Sequence, residues 1–477
     1  MLIALALMVA LNPSGYRGGG FDDFHYLEAA RCAVANGVCA PQNHWATRMP
    51  LVLPTAGAIA LFGEGRVALG LVPLAYALTA LLLLVRLVAG RFGARAGALA
   101  GLALVATPAF GGATLQTGID LPELAFLLAA AASLSRALRP GPKRAWAAGA
   151  GFALALAAQC RPSALCAMPL MLALLFWRPS LRRLVAPFLL GLALPLLGEA
   201  AIYAVATGDP ATSWRLALAH GRIPSTELAP HVDLSRSPLF NPQFIGGWTP
   251  ASGIAAHWTW SGIVNLVAHP AIGPTLLAAL ALAVLGRRRA PDRVAWLLIA
   301  AGALYFGGIV YALGIDPKPR MFLPVAAAAA VVIGIEGDRW WRRGGRLSVV
   351  ALIAVLTVVA AFLAAANRDL RVSDRLAAAW SAQEGSVGMD PTTARALALV
   401  PGLRDGGAGA PARLFLGNRT CETALRDQES GRDHGPGWRI ARAAPIPTTL
   451  DRLARRPPRA GLTLCLFRRD QAASPRS

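Results

Sequence analysis

The sequence predicts an all-α polytopic membrane protein of about eleven transmembrane helices, followed by a small C-terminal α/β soluble domain. Three observations predict it. Of 477 residues, 55% are hydrophobic and 15% charged, and the mean hydropathy is +0.50, whereas a soluble domain carries about a quarter charged residues. The apolar residues come in long runs rather than scattered. The basic residues gather in alternate short loops, as they do where loops face the cytoplasm.

Windows long enough to cross a bilayer, roughly 17–25 apolar residues, fall near 67–88, 96–112, 120–138, 145–160, 163–177, 184–206, 272–286, 294–313, 321–336 and 347–366. Met1–Leu11 is apolar but too short to cross alone, and reads as the end of a first span. A cleaved signal peptide fits less well, because no basic segment precedes the run and Ser14-Gly15-Tyr16 is a poor cleavage site. The stretch 51–62 is short and contains Pro54 and Gly57, which points to an interfacial or re-entrant segment. Residues 1–366 thus form the transmembrane domain and 367–477 the soluble domain. In the latter, Ala412–Gly417 and Ala460–Phe467 read as strands, and 373–383 and 391–399 as helices.

The formal net charge is +21, from 46 Lys+Arg against 25 Asp+Glu. Taken alone, that balance suits a nucleic-acid partner. Position excludes it. Eighteen basic residues lie in one set of short loops: Arg86, Arg91, Arg95; Arg136, Arg139, Lys143, Arg144; Arg178, Arg182, Arg183; Arg287, Arg288, Arg289, Arg293; and Arg339, Arg342, Arg343, Arg346. Only Asp292 and Asp338 accompany them. The charge is topogenic. The segments 12–66, 111–119, 207–271, 314–320 and the tail from 367 therefore face the other side, the periplasm of a bacterial inner (plasma) membrane. The loop 207–271 is rich in Trp and His (Trp214, Trp248, Trp258, Trp260, His220, His231, His257), residues that more often anchor an interface than bind substrate. An amphipathic piece over 211–220 is suited to the membrane surface.

Of six cysteines, Cys32 and Cys39 lie in the first outer loop and Cys421 and Cys465 in the outer tail, where disulfides can form. Cys160 and Cys166 read as small apolar residues. No CxxC or His/Cys pattern points to structural zinc.

The first outer loop contains Gly18-Gly19-Gly20-Phe21-Asp22-Asp23-Phe24-His25-Tyr26. One reading is a helix N-terminus, with Asp22 as cap, Asp23 in the first turn and a helix over 23–35. The other is a catalytic base or a metal ligand. A set of short motifs bears on that choice. Asp22-Asp23 and Tyr26 are followed by Arg48-Met49-Pro50-Leu51, within His44-Trp45-Ala46-Thr47-Arg48. Asp120 stands in Thr117-Gly118-Ile119-Asp120-Leu121-Pro122, Arg161 opens Arg161-Pro162-Ser163, and Arg320 opens Arg320-Met321-Phe322-Leu323-Pro324. All fall on the outer face deduced from the arginines, where ionisable groups at span ends mark functional cavities.

In order, spacing and topology, residues 1–366 resemble the GT-C glycosyltransferases that use polyprenyl-phosphate sugars, a group including protein O-mannosyltransferases and lipid A aminoarabinose transferases. The resemblance implies a GT-C-like fold. It also implies transfer of a sugar from a polyprenyl-phosphate donor to a lipid, glycan or protein acceptor on the periplasmic face. The leading acid of the pair, Asp22, would take the acceptor proton, with Asp23 orienting the acceptor or a metal. Arg48 and Arg320 would hold the leaving phosphate, with Lys318 as a further point charge. Tyr26, His44, Asp120 and Arg161 complete the expected substrate site. One base and direct displacement imply inversion. Two carboxylates plus water suit a divalent cation at Asp22/Asp23, a ligand set the residues allow and do not demand. The chain departs from the family pattern at Met321, where Tyr is common, and at Asp23, where the aminoarabinose enzymes tend to carry Glu.

Two other readings exist. A transporter would place its ionisable groups near the bilayer midplane and show half-to-half symmetry, and here the charges lie at the outer edge with no such symmetry. A glycan polymerase or ligase using diphosphate-linked donors would share the topology and differ in donor chemistry.

Overall fold

The computed structural model of the chain describes residues 1–18, 22–37, 39–139, 143–177, 179–218, 266–267, 269–285, 293–308, 319–403, 405–407, 410–418, 420–430, 438–458 and 461–469. The apolar runs fold as helices because hydrocarbon offers the backbone no partners, and a helix pairs every interior N–H and C=O within itself. In chain order these are α1 (Leu2–Leu11), α2 (Asp23–Asn36), α3 (Met49–Phe62), α4 (Arg66–Phe92), α5 (Ala94–Val105), α6 (Pro108–Ala113), α7 (Asp120–Ala137), α8 (Arg144–Cys160), α9 (Met168–Phe176), α10 (Val185–Thr207), α11 (Thr212–Leu218), α12 (Gly273–Leu285), α13 (Arg293–Gly307), α14 (Leu323–Arg342) and α15 (Arg346–Ala365).

Among the described residues, four helical segments are long and apolar enough to cross a membrane: Arg66–Phe92, Pro179–Thr207, Arg320–Arg342 and Arg346–Ala365. Prolines account for much of the difference from the ten windows of the sequence. The expected span 96–112 is split at Thr107-Pro108 into α5 and α6. The expected span 163–177 opens as a 3-10 helix, Pro162–Ala167, and leaves only the nine residues of α9. Proline lacks the N–H that a continuing helix requires. The stretch 51–62, expected to be re-entrant, belongs to a 14-residue helix that tolerates Pro54 inside it. The window 321–336 continues to Arg342, so Asp338 is helical, and it pairs with Arg342 at 2.7 Å and Arg95 at 3.6 Å. Residues of the expected span 294–313 beyond Gly308 lie outside the described residues.

The bundle core joins α4, α5, α7, α12, α14 and α15 through small side chains such as Ala80, Ala100, Ala103 and Ala330. Small residues let helices approach closely in lipid, where hydrophobic burial between helices gives little drive. The backbones of α8 and α10 lie in close contact. A Cβ at Gly151 would sit 1.9 Å from the carbonyl oxygen of Phe188, and one at Gly191 would sit 1.9 Å from that of Ala148. Only hydrogen fits at either place. The opposite face of α10 exposes Leu190, Leu194, Leu197 and Val205, a stripe suited to lipid.

After α15 come α16 (Leu370–Glu384), α17 (Pro391–Ala396), α18 (Cys421–Ser430) and α19 (Thr449–Leu453), with strands β1 (Val387–Met389), β2 (Ala412–Gly417), β3 (Trp438–Pro445) and β4 (Thr463–Arg469). The strands form one sheet in the order β1-β2-β4-β3. β1 and β2 run parallel, and the other neighbours antiparallel. A separate apolar core of Trp380, Val387, Leu414, Leu464 and Leu466 lies against it. Two disulfides are present, Cys32–Cys39 and Cys421–Cys465. Cys160 and Cys166 are free.

The tail and the first loop meet. Tyr16 Oη donates to the Arg395 carbonyl at 2.8 Å, Ser14 Oγ to the Arg368 carbonyl at 2.8 Å, and Arg66 pairs with Asp374 at 2.5 Å. Gly18 has φ +58°, and a Cβ there would lie 2.2 Å from the Arg395 carbonyl oxygen. The four-stranded unit is therefore joined to the same end of the bundle as the acidic pair.

Candidate active site

The acidic pair splits in two directions. Asp22 precedes α2 with helical backbone angles, and its side chain makes no capping bond. Its carboxylate instead accepts from Arg320 Nη2. The expected capping role is thus not observed: an ion pair with a guanidinium outweighs a single N–H contact at a helix start. Asp23 is fully buried. Its Oδ2 accepts the backbone N–H of Arg17 at 2.5 Å and its Oδ1 that of Gly18 at 3.2 Å. Burial raises its pKa to about 6, and those two N–H bonds oppose the rise. Asp23 therefore holds the backbone of Arg17 and Gly18 in place, while Asp22 keeps 30% of its side chain exposed. Both oxygens of Asp23 are committed to backbone and Asp22 faces a cation, so the pair does not fit a divalent metal. Among the described residues no three His, Cys, Asp or Glu side chains gather as a ligand set.

From Asp22 an ionic ladder runs across the bundle. Arg320, in a 3-10 turn (Pro319–Phe322) ahead of α14, lies with its Nε 3.8 Å from Asp120 Oδ2. Asp120, the first residue of α7, accepts Arg161 Nη2 at 2.6 Å through Oδ1. Arg161, just past the end of α8, gives Nη1 to Glu123 Oε2 at 2.6 Å. Glu123 takes the hydroxyl of Tyr305, from α13, on its other oxygen. Asp120 and Glu123 reach one arginine because they lie three residues apart, on one helix face.

Arg48 differs from these. It stands before α3, is buried, and makes no hydrogen bond or ion pair among the described residues; its Nε is an orphaned donor. Tyr26, also buried, sits in the electrostatic field of Asp22, Arg48, Arg320 and Asp120. His44 is buried, with its ring centroid 3.8 Å from that of Trp45. Trp45 in turn stacks on His25 at 4.4 Å.

Of the residues singled out in the sequence, Asp22, Tyr26, Arg48, Asp120, Arg161 and Arg320 are brought together. Asp23 is bound to the backbone of Arg17 and Gly18, and His44 sits in an aromatic cluster with Trp45 and His25. Lys318 lies outside the described residues, as do His220, His231, Trp248, His257, Trp258 and Trp260. Sequence reasoning missed Glu123 and Tyr305. The i, i+3 spacing of Glu123 from Asp120 was a usable signal for the first. A lone Tyr in an apolar run gave none for the second.

The helical bundle, with acids and arginines convergent at one end, shares its fold with solved structures of ArnT and of an archaeal oligosaccharyltransferase. Residues 52–203 match the family model described as dolichyl-phosphate-mannose-protein mannosyltransferase. The chain is similar to a crystal structure of ArnT from Cupriavidus metallidurans bound to undecaprenyl phosphate, at 14% identity and a TM-score of 0.54, covering 97% of this chain and 96% of that one. It is similar also to the archaeal oligosaccharyltransferase AglB from Archaeoglobus fulgidus in complex with an inhibitory peptide and a dolichol-phosphate. There the identity is 15% and the TM-score 0.51, covering 79% of this chain and 57% of that one. This chain thus spans little more than half the length of the archaeal protein. At such identities the likeness is one of fold. A comparison with curated protein sequences finds no match.

Proposed function

We propose that the chain is a membrane glycosyltransferase that moves a sugar from a polyprenyl-phosphate donor to a lipid, glycan or protein acceptor on the periplasmic face of the inner membrane. Residues 1–366 carry the site and 367–477 form a periplasmic α/β domain joined to it. The observation that carries the reading is the pairing of Asp22 with Arg320 together with a buried Arg48 that has no ion pair among the described residues. A buried guanidinium without a carboxylate is costly unless an anion meets it. A phosphate ester at the membrane edge is such an anion.

The chemistry follows from these groups. The donor phosphate docks on Arg48 and Arg320, which stabilise the charge left on polyprenyl phosphate as the glycosidic bond breaks. Sharing Arg320 with the phosphate loosens its hold on Asp22. That carboxylate then takes the proton of the acceptor hydroxyl as the new bond forms. A single base and direct displacement give inversion. Arg161 acts at one remove: Glu123 and Asp120 occupy its guanidinium, so it positions Asp120, and Asp120 in turn positions Arg320.

Binding of undecaprenyl phosphate to the purified full chain tests this reading. The native chain should bind it, and Arg320→Ala should weaken binding at least about tenfold, since a charge-assisted contact contributes roughly 1.5–3 kcal/mol. Unchanged affinity in Arg320→Ala would remove that residue from the phosphate site. No binding by the native chain would overturn the donor.

A further inference from the structure

A second polar cluster, which the ladder does not use, neighbours Arg48. Glu199 and Tyr203 stand four residues apart on one face of α10, inside the apolar helix Val185–Thr207. Both are buried, at 5% and 0% relative exposure. Among the described residues, Glu199 Oε1 and Tyr203 Oη have no hydrogen-bond partner, and neither has Arg48 Nε. The three side chains share one electrostatic neighbourhood: Arg48 acts on both Glu199 and Tyr203. Ser213, at the start of α11, and Gln159, near the end of α8, hydrogen-bond to the Glu199 carboxylate and leave its Oε1 open. Gln159 is anchored through its Nε2 to the Pro195 carbonyl at 2.9 Å.

Native proteins leave few buried polar atoms unpaired, because each costs the desolvation it suffered. Three such atoms in one place, one of them on a carboxylate within an apolar helix, form a set of donors and acceptors built for a ligand. A carboxylate oxygen accepts from a hydroxyl, a phenol both gives and accepts, and a guanidinium gives. The ligand that answers all three is a polyhydroxylated one. Arg48 also belongs to the phosphate site, so the ligand group must lie directly beside a phosphate.

We infer that Glu199 and Tyr203, with Arg48, form the seat of the donor's sugar, reading its hydroxyls while the phosphate is held by Arg48 and Arg320. This rests on the polyprenyl-phosphate donor proposed above. The seat gives the enzyme its discrimination between a charged and a spent carrier: the sugar-bearing lipid satisfies Glu199 Oε1 and the Tyr203 hydroxyl, whereas bare polyprenyl phosphate leaves these two atoms unpaired. A site built to bond hydroxyls rejects a ligand lacking them more strongly than an apolar pocket does.

Competition binding tests it with the purified full chain. The lipids are undecaprenyl phosphate and a panel of undecaprenyl-phosphate sugars bearing a hexose, an N-acetylhexosamine or a pentose. Native mass spectrometry reads occupancy. The native chain should prefer at least one sugar-bearing lipid to the bare one. Glu199→Gln and Tyr203→Phe, which keep volume and remove one acceptor or one hydroxyl, should each cut that preference roughly ten- to hundredfold. Both should bind bare undecaprenyl phosphate as the native chain does, which also shows that they are folded. Preference retained in both variants overturns the inference. So does a native chain that binds the bare lipid and prefers no sugar-bearing one. Failure of the native chain to bind undecaprenyl phosphate at all overturns the donor reading beneath it instead.

Discussion

Replacing Arg161 by Met removes the cation that two buried carboxylates share. Asp120 and Glu123 stand at 7% and 0% side-chain exposure, and Arg161 at 9%. Breaking a buried pair by deleting one member costs about 3–5 kcal/mol, because the remaining charge is left uncompensated. Here the lower end applies. Asp120 keeps Arg320 at 3.8 Å, and Glu123 keeps the Tyr305 hydroxyl. The expected loss is therefore about 3 kcal/mol, roughly a hundredfold or more in the unfolding equilibrium. Unfolding in detergent, followed by tryptophan fluorescence, measures it. The decisive companion is the triple variant Arg161→Met, Asp120→Asn, Glu123→Gln. With no buried charge left unpaired in this part of the ladder, it should recover to within about 1 kcal/mol of the native chain and remain inactive. A single variant as stable as the native chain would refute the ladder as a structural unit. A triple variant no better than the single would refute the charge argument.

Three other outcomes follow from the same geometry. The folded pKa of Asp23 is about 6, against 3.8 for the free side chain. The folded state therefore holds the proton more tightly, and stability should fall as pH rises from about 4 to 6, by at most roughly 3 kcal/mol. Asp23→Asn should flatten that slope, and an unchanged slope in its thermal unfolding would assign the effect elsewhere. Gly151→Leu should destabilise the chain by several kcal/mol or abolish its accumulation, because its Cβ would meet the Phe188 carbonyl oxygen at 1.9 Å; normal yield and melting would show that α8 and α10 can part. Reducing Cys421–Cys465, which closes 44 residues of sequence, should lower the stability of the tail by about 2–4 kcal/mol, read as faster proteolysis of 367–477; equal digestion rates in oxidised and reduced protein would count against it.

Much of this architecture was legible in the sequence, for identifiable reasons. Hydropathy located the helices, and α4, α7, α8, α10 and α15 agree with their windows within a few residues. Windows average over proline, so the break at Pro108 went unread, as did the 3-10 turn over Pro162–Ala167 that shortens the window 163–177. β2 was legible as a compact run of alternating and apolar residues. β1 is three residues long and β3 carries Arg439 and Arg442; neither offers a hydrophobic signal. The candidate site was legible through its charges, because a charge near a membrane span stands out against apolar neighbours. What the sequence could not show was the division of labour among them. Asp22 and Asp23 are adjacent and chemically alike, yet one faces Arg320 and the other is spent on the backbone of Arg17 and Gly18. Arg48, Arg161 and Arg320 look equivalent in sequence. Folded, Arg161 is consumed by two acids, Arg320 is shared between two, and Arg48 makes no ion pair among the described residues. Glu199 and Tyr203 were hidden because each lies inside a window that is apolar on average.

The central claim is that Asp22 accepts the proton when sugar is transferred. It is tested most directly by deleting the gene in its host and restoring either the native chain or Asp22→Asn at equal abundance, then measuring glycosylated polyprenyl phosphates by mass spectrometry. The native chain should clear the sugar-lipid that accumulates in the deletion. Asp22→Asn should leave it accumulated, since loss of a general base costs about 10²–10⁴ in rate, while the purified variant still binds undecaprenyl phosphate. Clearance by Asp22→Asn at a near-native rate would contradict the account.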